Sequence, residues 1–165
     1  MFKRFAADER GFTLMELLIA VAIVVILAGV GIPVYLKFQA GAKHSEAATN
    51  LNGVKLSEES YKLTNGSYLT CQVSPRTTPD QDAVAWQALG TSPGTFNDIG
   101  FTTSSSVQFV YAVTAATPST FTGEALGNTD GDTDEILFIC NQAEGPRLVT
   151  STDTVLLGTT SDTDD

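Results

Sequence analysis

The sequence predicts an α+β fold: a long N-terminal helix whose second half packs on a small antiparallel β-sheet. Three observations predict it. The run from Leu17 to Leu36 holds twenty residues without a charge, about the length of a helix that crosses a bilayer. Beyond it, Ala47, Leu51, Val54 and Tyr61 recur at spacings of four, three and seven, which draws one apolar stripe along a continuing helix. After residue 100, short alternating segments separated by turns read as strands.

The first element is basic. Residues 1–11 carry Lys3, Arg4 and Arg10, diluted by Asp8 and Glu9. A secretory signal would have a shorter apolar core ending in a small-residue cleavage site, and Pro33-Val34-Tyr35-Leu36 matches such a site poorly. A membrane anchor fits the run better. Three basic residues before it against Lys37 and Lys43 after it place the N-terminus in the cytoplasm and the rest outside. A plain anchor gives no reason for Glu16 at the edge of the run. A carboxylate at the centre of a membrane helix costs about 2.5–3.5 kcal/mol and asks for a partner.

Gly29, Gly31 and Pro33 interrupt a strong helix former. Interior Gly costs about 1 kcal/mol and interior Pro about 3 relative to Ala, so weakened helix is expected between about Val25 and Pro33 when the chain is packed among neighbouring helices. From Tyr35 onward the helix turns polar, with Lys43, Glu46, Lys55 and Glu59 expected outward. Asn65-Gly66 has the composition of a helix C-terminal cap.

Residues 71–100, with Pro75, Pro79 and Pro93, read as a loop-rich connector holding a short helical turn near Trp86 and Leu89. Val107, Phe109, Tyr111 and Val113 alternate as a strand. Thr120 to Ala125, Glu135 to Cys140 and Arg147 to Thr150 give three more, and Val155-Leu156-Leu157 in the acidic tail one further candidate. Short turns between them imply antiparallel pairing. Cys71 and Cys140 allow a single intramolecular pairing. A disulfide between them is expected if this part of the chain is exported, worth roughly 4 kcal/mol in the chain-entropy view. Asn128, Asp130, Asp132, Asp134 and Glu135 crowd one turn. Their spacing fits no EF-hand. The turn is read as solvated, with Ca²⁺ coordination as the alternative.

The net charge of −10 argues against a nucleic-acid-binding body. No enzyme is expected. The one histidine, His44, is read as a surface residue, and no Gly-rich phosphate loop followed by Lys occurs. Phe12, Tyr35, Phe38, Tyr61 and Tyr68 are read as packing and interface aromatics rather than a conduction path. Asn65-Gly66-Ser67 is a glycosylation sequon in form.

Arg10-Gly11-Phe12-Thr13-Leu14-Met15-Glu16, followed by the apolar run and Pro33, resembles the class III signal of type IV prepilins and type II secretion pseudopilins. The resemblance covers about residues 10–62, and the segment from Lys37-Phe38-Gln39-Ala40 through Ser45-Glu46-Ala47 to Thr49-Asn50-Leu51 looks especially like pilins of myxobacterial and related bacteria. The resemblance implies a leader of residues 1–11, cut between Gly11 and Phe12 by a prepilin peptidase, with N-methylation of Phe12. It implies a filament-core helix over 12–36, an amphipathic half over 37–66 and a globular domain over 67–165. Glu16 would pair with the Phe12 amine of a neighbouring subunit and set axial register, and Gly29, Gly31 and Pro33 would loosen the helix in the filament. The implied partners are further copies of the chain, the peptidase, the inner-membrane assembly platform and its motor ATPases, and the membrane before assembly. The implied end state is a surface filament (a fimbrium) used in adhesion or twitching motility. A pseudopilin, a minor pilin and a non-polymerising anchored binding domain are the alternatives.

Overall fold

The structure, a computed structural model, describes residues 11–78, 80, 82–128 and 136–149. It shows the expected α+β architecture: helix α1 spans Leu14–Asn65 and is followed, among the described residues, by seven strands. The chain divides into two compact units, one up to Gln39 and one from Ala40.

In the first unit the helix is apolar on all sides, and its large apolar side chains from Phe12 to Phe38 are exposed. The helix of the single chain runs unbroken through Gly29, Gly31 and Pro33. The three residues that interrupt the helical propensity therefore do not break the helix by themselves.

In the second unit one stripe of the helix is buried: Ala47, Leu51, Val54 and Glu58, with Tyr61 partly buried behind them. Spacings of four, three and four keep these side chains on one face. The face lies on a five-stranded sheet of order β1-β4-β5-β6-β7. These strands are Cys71–Ser74, Val110–Ala116, Phe121–Gly127, Ile136–Asn141 and Arg147–Leu148, and every pairing is antiparallel. Tyr111, Val113, Phe121, Ala125, Phe138 and Cys140 meet the helix in one core cluster. Val110, Leu126 and Ile139 form a second, smaller cluster with Val73 and Val149. Polar contacts tie helix to sheet at its margins. Asn50 donates to the Tyr111 hydroxyl (2.9 Å), Glu46 accepts from the Gln108 amide (2.9 Å) and Lys55 donates to the Glu144 carbonyl (3.2 Å). The helix ends where expected. Gly66 takes φ +80°, and its amide bonds the Lys62 carbonyl at 2.7 Å, which closes the last turn in a conformation suited to Gly.

Several expectations are corrected. Residues 71–100 are more than a connector, since they contain β1 at the sheet edge and β2 (Val84–Ala85), which pairs with β3 (Ser106–Val107). Trp86 lies in no helical turn. Its ring meets Phe96, Phe101 and Tyr111 at 5.4, 5.2 and 6.0 Å between centroids. The strand expected from Val107 to Val113 is split at Gln108–Phe109. The Gln108 amide is taken by Glu46 and its carbonyl by the Arg76 guanidinium (2.9 Å), so neither serves a ladder. Lys43, Glu46, Lys55 and Glu59 are half-buried rather than outward, and three of them bind the sheet side: Glu46 and Lys55 as above, and Glu59 through the Tyr68 hydroxyl (2.8 Å).

The Cys71–Cys140 disulfide is also overturned: both thiols are free and buried. The sheet register explains why. Cys71 pairs with Val113, Val113 with Gly123, and Gly123 with Cys140. The cysteines therefore stand in one row with β4 and β5 between them. Three inter-strand spacings amount to about 14 Å, against a bridged Cα separation of at most about 6.8 Å.

Candidate functional site

The candidate site is the start of α1 and the apolar surface that follows it. Residues 11–13 are coil and exposed, so the Gly11–Phe12 peptide is open to a protease. Arg10 and the residues before it lie outside the described residues.

Thr13 caps the helix. Its hydroxyl accepts from the Glu16 amide (3.2 Å), while its own amide and hydroxyl both donate to Glu16 Oε2, at 3.0 and 2.9 Å. The Leu17 amide bonds the Thr13 carbonyl at 3.2 Å and starts the helical ladder. This is the reciprocal capping box that a Thr-x-x-Glu spacing allows. It satisfies amides that no intrahelical partner can reach. Sequence reasoning read Glu16 only as a charge in want of a cation. The three-residue spacing from Thr13 to Glu16 was the missed signal for its second role. The Phe12 nitrogen belongs to a peptide bond here and carries no charge, so it offers Glu16 no cation.

Helix α1 is long and apolar enough to cross a membrane. Around Gly29 and Gly31 nothing lies within 4 Å of where a Cβ would stand. Small residues on an exposed helix let another helix approach closely.

The remaining sequence candidates are not brought to this place. His44 is half-buried rather than on the surface. Its ring stands edge-on to Phe138 at 5.6 Å, and its Nε2 is buried without a hydrogen-bond partner. Of the candidate calcium ligands only Asn128 is described. Asp130, Asp132, Asp134 and Glu135 lie outside the described residues, as does Val155-Leu156-Leu157. Among the described residues no three metal-binding side chains cluster.

Three carboxylates escaped sequence reasoning. Glu58 is fully buried beneath the helix, accepting from the Leu69 amide at 3.0 Å, with the Cys71 thiol 3.9 Å away. Burial pushes it up to about 7 against these bonds, and neighbouring Glu59 adds to the rise. Glu124 is buried on β5 and accepts from the Thr114 hydroxyl at 2.7 Å. Asp98 gathers the Ser92 hydroxyl and the Thr95 and Gly94 amides. The Ser92 bond, then those from Thr95, draw it down to about 2.

A family model bears on the same segment. The family model described as "Prokaryotic N-terminal methylation motif" matches residues 7–32. The chain is similar to the type IV major pilin protein PilA of Myxococcus xanthus, 52% identical over 58 residues, which cover 35% of this chain and 26% of the relative. It is 43% identical over 60 residues to the type IV major pilin protein PilE1 of Neisseria gonorrhoeae, covering 36% of each. It is 47% identical over 49 residues to a fimbrial protein of Moraxella nonliquefaciens, covering 30% of this chain and 32% of that one. The chain thus spans about a quarter to a third of the length of these curated relatives.

Proposed function

We propose that this chain, which carries a prepilin methylation motif on a type IV pilin N-terminal helix, is a structural subunit of a type IV pilus. One observation carries the reading. A helix that is apolar on every side begins two residues after an open Gly11–Phe12 bond, and its large side chains from Phe12 to Phe38 are exposed. Exposed apolar area of this extent marks a contact with lipid or with protein, and the two occupants follow one another.

Before assembly the helix sits in the inner membrane, with the acidic domain outside. A prepilin peptidase removes residues 1–11 and methylates Phe12. The helix then leaves lipid for a core of identical helices, where burial is kept and packing at Gly29 and Gly31 is gained. The amine formed at Phe12 is charged at neutral pH. It supplies the cation that Glu16 lacks, and an incoming subunit settles where its Glu16 meets the amine of one already in place. Helix loosening between Val25 and Pro33 belongs to this packed state, where neighbouring helices compensate for lost backbone bonds. The assembly platform and its motor ATPases are separate proteins, and this subunit is not itself an enzyme.

The test is to shear filaments from cells and identify the subunit by mass spectrometry. Abundant protein beginning at methylated Phe12 is expected. Processed protein confined to the membrane and absent from sheared fibres would instead mark a minor pilin or pseudopilin. An intact leader in peptidase-competent cells would overturn the reading.

A further inference from the structure

The two cysteines stand where a bond between them and the native sheet exclude each other. Cys71 and Cys140 occupy the ends of one row, Cys71–Val113–Gly123–Cys140, with two whole strands between them. Their sulfurs face the helix at separate places. Cys140 Sγ lies 3.8 Å from the Leu51 carbonyl, and Cys71 Sγ lies 3.9 Å from Glu58 and 3.5 Å from the Thr95 carbonyl. Leu51 and Glu58 are two helical turns apart, about 10.5 Å, so the two thiols touch the helix at well-separated points. No slip of register can close such a gap, because β4 and β5 lie between the thiols. At least one cysteine must leave its strand before the sulfurs meet.

In the folded domain the thiols are withdrawn from solvent, with Cys71 2% and Cys140 1% exposed. Burial raises both above the usual thiol range, Cys140 to about 12. The folded thiols therefore supply almost no thiolate to attack an oxidant. In the unfolded chain they are ordinary exposed cysteines.

We propose that this pair makes folding of the globular domain redox-gated: a chain whose Cys71 and Cys140 are joined before the sheet forms is locked out of the native fold, and a chain that folds first is protected from the bond. The step needs a disulfide oxidant. A thiolate of one cysteine attacks a sulfur of that oxidant, and the second cysteine attacks the mixed disulfide. The products are the Cys71–Cys140 bond and two reduced thiols on the oxidant, which takes up the two electrons. The inference rests on the proposed function only for where the oxidant is met, since a domain held outside the inner membrane is exposed to one. For such a subunit, folding has to precede oxidation, and reduction rescues a chain that failed.

The full chain in detergent micelles tests this without reference to filaments, so its outcome is separable from the pilus reading. Protein unfolded in urea is oxidised with glutathione disulfide, and the monomer two protons lighter is isolated. The urea is then removed. Trp86, the one tryptophan, reports on the native aromatic cluster. Without reductant the oxidised monomer is expected to keep unfolded-like Trp86 emission, and dithiothreitol is expected to restore the native signal. Cys71→Ala and Cys140→Ala should refold with or without oxidant. Should both fail to fold, the wild-type chain still decides the matter. Folded protein incubated with glutathione disulfide should retain two titratable thiols on later unfolding. Native emission from the oxidised monomer, or an internal bond formed in the folded protein with its signal kept, would overturn the proposal.

Discussion

Replacing Glu58 by Gln tests how the helix is held to the sheet. Glu58 is fully buried, faces the Leu69 amide and the Cys71 thiol, and has Glu59 beside it. Burial raises its carboxyl from 4.5 to about 7 in the folded chain. The folded state therefore holds this proton more tightly than the unfolded state. The stability it contributes is fully present below about pH 4.5, falls as pH rises towards 7 and stays lost above that. One pKa unit is worth 1.36 kcal/mol, so the shift corresponds to a loss on the order of 3 kcal/mol between pH 4.5 and 8. Gln keeps an oxygen for the Leu69 amide and has no proton to lose. Its NH₂ brings a buried donor that costs about 1 kcal/mol. Glu58→Gln should thus be about 2 kcal/mol more stable than wild type at pH 8 and about 1 kcal/mol less stable at pH 4.5. Urea unfolding of the full chain in micelles, followed by Trp86 emission, gives both values. Comparison at each pH removes the other titrating groups, among them Asp98, whose lowered pKa contributes in the opposite sense as acid is added. A stability difference that stays constant from pH 4.5 to 8 would refute the reasoning.

Other consequences follow from particular contacts. Thr13→Ala removes the hydroxyl of the capping box and should cost the first turn of α1 about 1 kcal/mol, read as roughly fivefold faster hydrogen exchange at the Glu16 amide. Thr13→Ser should retain protection. A Cβ at Gly123 would stand 2.9 Å from Cys140 Sγ, so Gly123→Ala should destabilise the domain by about 1–3 kcal/mol, with much of the loss recovered in a Gly123→Ala/Cys140→Ala double variant. Tyr111→Phe deprives Asn50 of its acceptor and Glu46 of a donor and should cost about 1–2 kcal/mol by urea unfolding.

The sequence made some of this legible and hid the rest for physical reasons. Local signals were readable. The stripe 47, 51 and 54, the cap at Asn65-Gly66 and the strands near 110, 121, 136 and 147 all depend on residues close in the chain. Glu58 was hidden because an apolar count skips a carboxylate, although its place between Val54 and Tyr61 completes the stripe. β1 was hidden because four residues carry little alternation and its partner β4 lies some forty residues away. The cysteines misled because two thiols say nothing about sheet order, and the order β1-β4-β5-β6 separates them. At the candidate site the methylation motif and the apolar run were plain. The capping box was not, because the need of Glu16 for a cation obscured the Thr-x-x-Glu spacing.

That double role makes Glu16→Gln the decisive variant for the assembly proposal. Glu16 serves the helix through hydrogen bonds from Thr13, which an amide oxygen can accept as well, since Gln fills the same place in a capping box. In the assembly proposal it acts through charge, which Gln lacks. Thr13→Ala has the converse effect: the cap is weakened and the carboxylate remains. If register is set by Glu16 meeting the Phe12 amine of a neighbour, Glu16→Gln should be cleaved and hold a protected first turn, yet yield few or no sheared filaments. Thr13→Ala should still assemble, with a frayed helix start in the membrane-held form. Filaments of normal yield from cleaved Glu16→Gln would show that capping is the residue's whole function and that axial register is set by the apolar helix alone. A loss of filaments in Thr13→Ala as severe as in Glu16→Gln would locate the requirement in the cap rather than in the charge.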